Sequence, residues 1–182
     1  PETAELRFDP GGTVTVLVGT TAGGKSHETI YTQIVSDRLG IDADAIRVVE
    51  GDTDKLSWGT GTGDDRSASI GGSAVAGEAN NVVEKARLIA AHLLEAARED
   101  VEFTEGVFSV AGTDRTVTFD EVARAAFRPD LLPPEIEIGL YETATWASEI
   151  SNVPNTCHIS EVEIDPETGT VELVRHSAVH DV

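Results

Sequence analysis

The residues best suited to chemistry lie in one glycine-rich stretch near the start of the chain, which we call the first loop. Residues 19–26 read Gly-Thr-Thr-Ala-Gly-Gly-Lys-Ser and match the pattern G-x-x-x-x-G-K-[ST]. In that pattern backbone N–H groups surround phosphates, the lysine reaches an outer phosphate and the serine binds Mg²⁺. A helix predicted directly after the loop would direct its positive N-terminus at the same anion. A nucleotide-binding P-loop is therefore one interpretation.

The elements around the first loop argue against a P-loop. The preceding strand, Thr13–Val18, alternates threonine and valine after a hairpin, which is typical of a half-solvated antiparallel strand. The strand before a P-loop is usually parallel and continuously apolar. The later run Ile46–Glu50 is interrupted by Arg47, so it does not supply a buried strand with a metal-binding carboxylate at its end. The P-loop is thus the alternative, and another use of the loop is favoured.

Hydrophobic periodicity predicts the elements that position the first loop. Residues 5–18 alternate around the turn Pro10-Gly11-Gly12 and predict a β-hairpin. After the loop, apolar residues recur at helical spacing from Ile30 to Leu39, and Gly40 ends that helix. A short strand follows at Ile46–Val49. The first loop is therefore predicted to connect a strand to a helix.

A second loop, residues 59–73, is rich in glycine, serine and threonine and precedes the longest predicted helix. That helix carries one apolar stripe from Val75 to Ala97. A hairpin with Glu105-Gly106 at its tip follows, and then Thr118–Glu121 forms a capping box that opens a helix through Phe127. Further on, we expect a loop at 129–134, strands at 139–147, 158–165 and 170–179, and a turn at 165–169 joining the last two.

These elements mix strands and helices without strict alternation, which predicts an α+β fold: a two-layer mixed β-sheet with packed helices. The helix of Val75–Ala97 is expected to pack across a sheet that includes Thr13–Val18 and His158–Asp165. We expect residues 1–182 to form a single domain, with an insertion of hairpin, helix and loop at about 101–156.

Composition excludes several classes of partner. The chain has 13 Lys and Arg against 33 Asp and Glu, a formal net charge of -20. Nucleic acids and anionic membranes would repel it, because affinity there depends on cations that neutralise phosphates. The one cysteine and the absence of a long apolar run predict a cytoplasmic protein with no disulfide and no membrane span. The chain starts at Pro1 and has no Met, so we expect a fragment.

Short motifs in order along nearly the whole chain resemble one enzyme family. They are Gly19-Thr20-Thr21, His27-Glu28-Thr29, Gln33-Ile34-Val35, Leu39-Gly40, Ile46–Val49, Gly51-Asp52-Thr53, Gly59–Thr62, Arg66-Ser67, Gly71–Ala74, Ala86, Ile89–Glu95, Pro154-Asn155, His158 and Glu161–Gly169. Each motif is weak alone, and together they are specific. The chain resembles a segment from the second half of the molybdenum-cofactor-binding large subunit of the xanthine dehydrogenase, aldehyde oxidase and carbon monoxide dehydrogenase family.

The resemblance implies a molybdenum-cofactor-binding-domain-like fold and a molybdopterin-type molybdenum cofactor, often in dinucleotide form. Members of the family hydroxylate purines or aldehydes, or oxidise carbon monoxide, with water as the oxygen source. The implied partners are the rest of the large subunit and iron–sulfur and flavin subunits or domains. The family's catalytic glutamate lies in a later segment without a counterpart here, so this chain alone is not expected to be active. A structural relative that has lost the cofactor is a further alternative.

The resemblance also implies which residues contact the cofactor. The family's glycine–glutamine–glycine loop falls on Gly24, Lys25 and Ser26, and its Gly-Ser-Arg-Ser loop falls on residues 64–67, which here begin with Asp64 and Asp65. The helix opening at residues 71–73 matches. The implied cofactor-binding residues are Gly23, Gly24, Lys25, Ser26, Arg66, Ser67, Gly71, Gly72 and Ser73; no catalytic residue and no direct metal ligand is implied.

Several of these residues have simpler explanations. Lys25 is either a phosphate ligand or a solvated cation, and Arg66 is either a phosphate ligand or neutralised by Asp64 and Asp65. The four glycines are explained equally well as turn residues with positive φ. Ser26 can cap the following helix instead of touching a ligand.

The five histidines are not expected to form a metal site. The closest pair in sequence, His176 and His180, would share one face of a predicted strand. By the rise of a strand they would lie about 13 Å apart.

Overall fold

The structure, a computed structural model, describes residues 1–63, 66–148 and 155–181; Asp64 and Asp65 lie outside the described residues. Two compact units are present, Pro1–Glu149 and Ile150–Val182. The strands are β1 (Glu2–Phe8), β2 (Val14–Val18), β3 (Ile46–Glu50), β4 (Val101–Thr104), β5 (Val107–Val110), β6 (Thr116–Thr118), β7 (Tyr141–Trp146), β8 (Asn155–Ile164) and β9 (Val171–Asp181). The α-helices are α1 (His27–Leu39), α2 (Gly72–Leu93) and α3 (Phe119–Ala125). The single-domain assignment and the 101–156 insertion stay predictions.

The main sheet of the first unit has the strand order β3-β2-β1-β7. The predicted hairpin is confirmed, because β1 and β2 pair antiparallel with Arg7 opposite Thr15. Strand β3 pairs parallel with β2, with Val16 opposite Val48, so the sheet is mixed as predicted. The expectation that β2 is half-solvated is wrong: only Thr15 is partly exposed, because β2 lies inside the sheet with a partner on each side.

Helices α1 and α2 pack on each other, and α2 also packs on β1 and β7. The predicted packing of the long helix on the mixed sheet is confirmed for β1 and β7. Its residues Val75, Ala79, Val82 and Ala86 are fully buried, and the small alanines allow close approach to the sheet. The helix is preceded by one wide π-helical turn, Ser67–Gly71, so helical backbone begins earlier than predicted.

A three-stranded sheet, order β4-β5-β6, and helix α3 complete the first unit. The predicted turn at Glu105-Gly106 is confirmed, with positive φ at both residues. The predicted capping box at Thr118 and Glu121 is also confirmed, although α3 ends at Ala125. Residues 129–131, expected in a loop, form one 3₁₀ turn.

The second unit contains the antiparallel hairpin β8–β9, and the predicted turn at 165–169 is confirmed by the Gly169 N–H, which donates to the Asp165 carbonyl at 2.8 Å. The expectation that residues 158–165 join the main sheet is wrong, because β8 pairs with β9 in a two-stranded sheet. Alternation of side chains identifies a strand but does not specify its partner, and the short turn makes β9 the nearest one. Among the described residues, none of the helices has the length and apolar character needed to cross a bilayer.

Candidate functional site

The first loop begins where the parallel strands β2 and β3 end at the same edge of the sheet. Val18 and Glu50 are the last paired residues of these strands. The Gly51 N–H donates to the Val18 carbonyl at 3.0 Å, so both chains leave the sheet side by side. Crevices outside the carboxyl ends of parallel strands are common ligand sites in proteins with mixed or parallel sheets.

The exposed part of the first loop has an unusual backbone. Gly23, Gly24 and Ser26 have φ values of 50°, 77° and 57°, and the Lys25 N–H donates to the Ala22 carbonyl at 2.9 Å. The expectation of positive φ is therefore confirmed for Gly23 and Gly24. The expectation that Ser26 caps α1 is wrong, because its side chain makes no capping hydrogen bond. A capping residue normally has an extended backbone, and Ser26 is left-handed. The first N–H groups of α1 thus lack a side-chain cap at the exposed loop.

The second loop meets the first through Thr62. The Thr62 hydroxyl accepts the Thr21 N–H at 2.8 Å and donates to the Thr21 carbonyl at 2.9 Å. The Ser67 hydroxyl donates to Thr62 Oγ1 at 3.1 Å. The two loops on which the resemblance places the cofactor therefore converge at one edge of the sheet. Thr21 and Thr62, which join them, are absent from the predicted site residues.

A buried network of polar side chains lies beneath this junction. Glu50 Oε1 accepts the Thr20 hydroxyl at 2.7 Å and lies 3.0 Å from His27 Nδ1. The Tyr31 hydroxyl lies 3.0 Å from Thr20 Oγ1 and donates to the Ser67 carbonyl at 3.0 Å. The network thus connects β3, the first loop, α1 and the start of the wide turn. Burial, together with the negative charges of Glu50 and Glu2, raises the pKa of Tyr31 to about 12, so the hydroxyl keeps its proton.

Gly71 and Gly72 are buried in the packing of α1 against the helix opening. Their φ values of -64° and -61° are helical, so the expectation of positive φ is wrong for these two glycines. A Cβ on Gly71 would lie 2.5 Å from the Tyr31 hydroxyl oxygen, and one on Gly72 would lie 3.2 Å from Ile34 Cδ1. Both glycines allow α1 to approach closely.

Arg66 lies immediately before the wide turn Ser67–Gly71, and its side chain reaches the chain just before β1. Its guanidinium donates to the Pro1 carbonyl at 3.0 Å and also to the Thr60 hydroxyl. The Thr60 N–H donates to the buried Glu2 carboxylate at 3.3 Å. Lys25 is exposed in the first loop, and Ser73 is partly exposed in α2. The site therefore combines two cations, Lys25 and Arg66, with carboxylates of Glu2 and Glu50 held beneath the loops.

The sequence contains a signal for some of the residues that prediction missed. Glu50 ends a strand parallel to the one that leads into the first loop, so the two ends must lie together once that pairing is known. Threonine recurs in both loops, at Thr20-Thr21 and at Thr60 and Thr62, where its hydroxyl can bind backbone of the other loop. The contact of His27 with Glu50 joins residues far apart in the chain, and we found no local pattern that predicts it.

Three histidines meet on one face of the β8–β9 hairpin. His158 Nδ1 lies 3.2 Å from His176 Nε2, and the rings of His158 and His180 have centroids 5.0 Å apart. His158 is paired with Ala178 and so lies between His176 and His180. The spacing of histidines along β9 alone did not reveal that His158 of β8 contacts both of them. No group of three or more potential metal ligands was found among the described residues.

Comparison with known proteins identifies what the chain resembles. A family model described as a molybdopterin cofactor-binding domain matches residues 1–182. The carbon monoxide dehydrogenase large chain of Afipia carboxidovorans is 35% identical over 181 residues, which are 99% of this chain and 22% of that protein. The nicotine 6-hydroxylase large subunit of Paenarthrobacter nicotinovorans is 33% identical over 182 residues, again 99% and 22%.

Solved structures give the same result for the fold. The structure of the Cu,Mo-CO dehydrogenase in its carbon monoxide reduced state matches with a TM-score of 0.89 and 35% identity, over 98% of this chain and 22% of that one. Quinoline 2-oxidoreductase from Pseudomonas putida 86 matches with a TM-score of 0.84 and 35% identity, over 98% and 23%. The chain thus spans about a fifth of the length of these relatives.

Proposed function

We propose, since this chain belongs to the molybdopterin cofactor-binding domain family, that its converging loops bind the phosphate part of a molybdopterin-type cofactor, in its simple or its dinucleotide form. The convergence at Thr21 and Thr62 is the observation that carries the proposal. The residues that we propose for the site are those that the resemblance implies. These are Gly23, Gly24, Lys25, Ser26, Arg66, Ser67, Gly71, Gly72 and Ser73.

The chemistry of the first loop fits an anionic group. The N-terminus of α1 lacks a side-chain cap from Ser26, and the N–H groups and positive dipole end of a helix N-terminus favour a phosphate. A Cβ at Gly24 would meet nothing within 4 Å, so there is open space above the loop. Lys25 adds a positive charge at the same place. Gly71, Gly72 and the buried Ser67 support the loops from behind, so we expect them to act through packing.

The acidic surroundings determine how the site must work. The net charge is -20, and the Glu2 carboxylate is buried and the Glu50 carboxylate mostly buried behind the loops. Salt screens the interaction between exposed charges that are more than about 8 Å apart at physiological ionic strength. The affinity for a phosphate therefore depends mainly on the groups next to it. Backbone N–H groups and the two cations are the near donors. Backbone N–H groups do not titrate, so a phosphate can accept hydrogen bonds from them without any side chain of this chain taking up or losing a proton.

We further propose that the parent protein is the large subunit of a molybdenum-dependent oxidoreductase in the cytoplasm, with iron–sulfur and flavin subunits or domains as electron acceptors. The relatives' names, which include large chains and large subunits of dehydrogenases and hydroxylases, support this assignment. The bound cofactor would supply the redox centre for oxidation with water as the oxygen source. This chain would bind and orient the cofactor, and other segments would select the substrate and supply the catalytic glutamate.

Elemental analysis of the parent protein tests the proposal. The parent, expressed with molybdate and a cofactor-insertion system, should contain molybdenum and pterin near one per chain. Lys25→Glu should lower both contents, because it reverses a charge in the loop. Arg128→Glu, which makes the same change at an exposed residue paired with Asp130, should leave them unchanged. A folded parent without metal and pterin would instead favour a structural relative that has lost the cofactor.

A further inference from the structure

We propose that Thr20 is a positioning residue for the cofactor site. Its hydroxyl joins the Glu50 carboxylate to the Tyr31 hydroxyl and thereby fixes the first loop to helix α1 and to the start of the wide turn. Thr20 belongs to the Gly19-Thr20-Thr21 motif, but it is not among the residues that the resemblance implies as cofactor contacts. The inference rests on the proposed cofactor-binding function, and its test is designed to separate the two.

Proton counting gives the network a direction. The Thr20 hydroxyl has one proton, and it donates this proton in its hydrogen bond to the Glu50 carboxylate at 2.7 Å. Thr20 Oγ1 can then only accept from Tyr31, whose single proton is shared between Thr20 and the Ser67 carbonyl, each at 3.0 Å. Because hydrogen bonds to charged groups are the stronger ones, the carboxylate end anchors the series.

Both branches of the Thr20 side chain are used. Thr20 is 1% exposed, so its hydroxyl has no access to water as a substitute partner. A Cβ on Gly71 would lie 3.1 Å from the Thr20 methyl group, which shows that the methyl packs on the helix opening. Serine would keep the hydroxyl and lose the methyl, and valine would keep the methyl and lose the hydroxyl. This pair of substitutions separates the two contributions.

Loss of the hydroxyl should loosen the loop without unfolding the protein. In Thr20→Val, Glu50 still has His27 as a partner and Tyr31 still donates to the Ser67 carbonyl, so no buried group is left without a partner. What disappears is the link between them. The next residue, Thr21, makes both hydrogen bonds to Thr62, and the exposed residues of the first loop follow directly. A shift at Thr20 is therefore passed to the phosphate-binding part of the loop.

The test compares Thr20→Val with Thr20→Ser in the full-length parent. Molybdenum and pterin are measured per chain during prolonged dialysis, and the unfolding temperature of each variant is measured in parallel. We expect Thr20→Val to lose cofactor about tenfold faster than wild type, a factor equivalent to about 1.4 kcal/mol. Thr20→Ser should stay within about twofold, because it keeps the hydrogen bonds. A purely structural residue would lower the unfolding temperature and leave the retention of cofactor by folded protein unchanged.

Hydrogen exchange of the Thr21 amide supplies a second readout that does not need cofactor. Exchange should be faster in Thr20→Val than in wild type and near the wild-type rate in Thr20→Ser. Equal cofactor loss and equal Thr21 exchange in the valine variant and wild type would overturn the inference. Equal effects of valine and serine would also overturn it, since the hydroxyl would then not be the cause. A wild-type parent without molybdenum and pterin would overturn the proposed function instead.

Discussion

Glu78 should make the stability of this protein fall as pH rises. Its side chain lies on α2 at 0% exposure. Its contact with the side chain of Asn81 lacks the geometry of a hydrogen bond, so both carboxyl oxygens are left without a partner. Burial, and then the negative charge of Glu142, raises the pKa of Glu78 from 4.5 to about 8. The folded protein therefore keeps this carboxyl protonated in a pH range where the unfolded chain ionises it. Folding in that range requires the uptake of one proton.

The sign and size of the effect follow from linkage. The stabilising contribution of the protonated form is complete below pH 4.5 and is lost as pH rises to about 8. Each pH unit in this interval costs about 1.36 kcal/mol of unfolding free energy. The full interval therefore costs at most about 5 kcal/mol, and at pH 7 the cost is at most about 3 kcal/mol. Solvent screening reduces both figures.

Urea unfolding of wild type and Glu78→Gln at pH 5, 7 and 8.5 measures this contribution. The amide cannot ionise, so the variant does not lose this contribution. As pH rises, the unfolding free energy of the variant should therefore increase relative to that of wild type. At pH 5 the two proteins should be within about 1 to 2 kcal/mol, because a buried amide also lacks partners. Glu99→Gln, which removes an equal charge from an exposed residue, should show little pH dependence. A difference for Glu78→Gln that does not change with pH would refute the reasoning.

Three further predictions concern the loops. Ser26→Gly should raise the unfolding free energy by about 1 kcal/mol in urea titration, because φ is 57° at Ser26 and glycine removes the Cβ strain; Ser26→Ala, which keeps the Cβ, should give no gain. Gly40→Ala should lower the unfolding free energy by about 3 kcal/mol or more, because a Cβ would overlap the backbone of Gly106. Gly112→Ala is the control: with φ of 74° and open space around it, it should lower the unfolding free energy by only about 1 to 2 kcal/mol. In calorimetry, ATP with Mg²⁺ should show no binding near micromolar affinity, about -8 kcal/mol, and saturable binding lost in Lys25→Ala would restore the P-loop interpretation.

Local elements could be predicted from the sequence because their causes are local. Gly40 ends α1 in a left-handed conformation, and the capping box of Thr118 and Glu121 opens α3, each within a few residues of its pattern. The long helix was predicted from its apolar stripe, but its wide first turn was not. The Tyr31 hydroxyl, which contacts the Ser67 carbonyl of that turn, lies 36 residues earlier in the chain.

Pairings and contacts between distant segments could not be predicted in the same way. Strand β8 has the alternation expected of a sheet strand, yet the same alternation is compatible with any partner. The junction of the site depends on Thr21 with Thr62, 41 residues apart, and on His27 with Glu50, 23 residues apart. The family resemblance located the loops, whereas only the structure shows which side chains join them.

The backbone of Ser26 bears on whether the first loop still serves a cofactor. The resemblance places a glycine of the family at this position, and glycine adopts positive φ without cost. Here a serine takes φ of 57°, although a side chain in the left-handed region costs about 1 to 2 kcal/mol. Its side chain makes no capping bond that would offset the strain. The surrounding structure therefore maintains the glycine-type path of the loop against the preference of the residue. Strain kept in this way is typical of functional sites, and it supports a loop retained for anion binding over a structural remnant, in which the strain would serve no purpose.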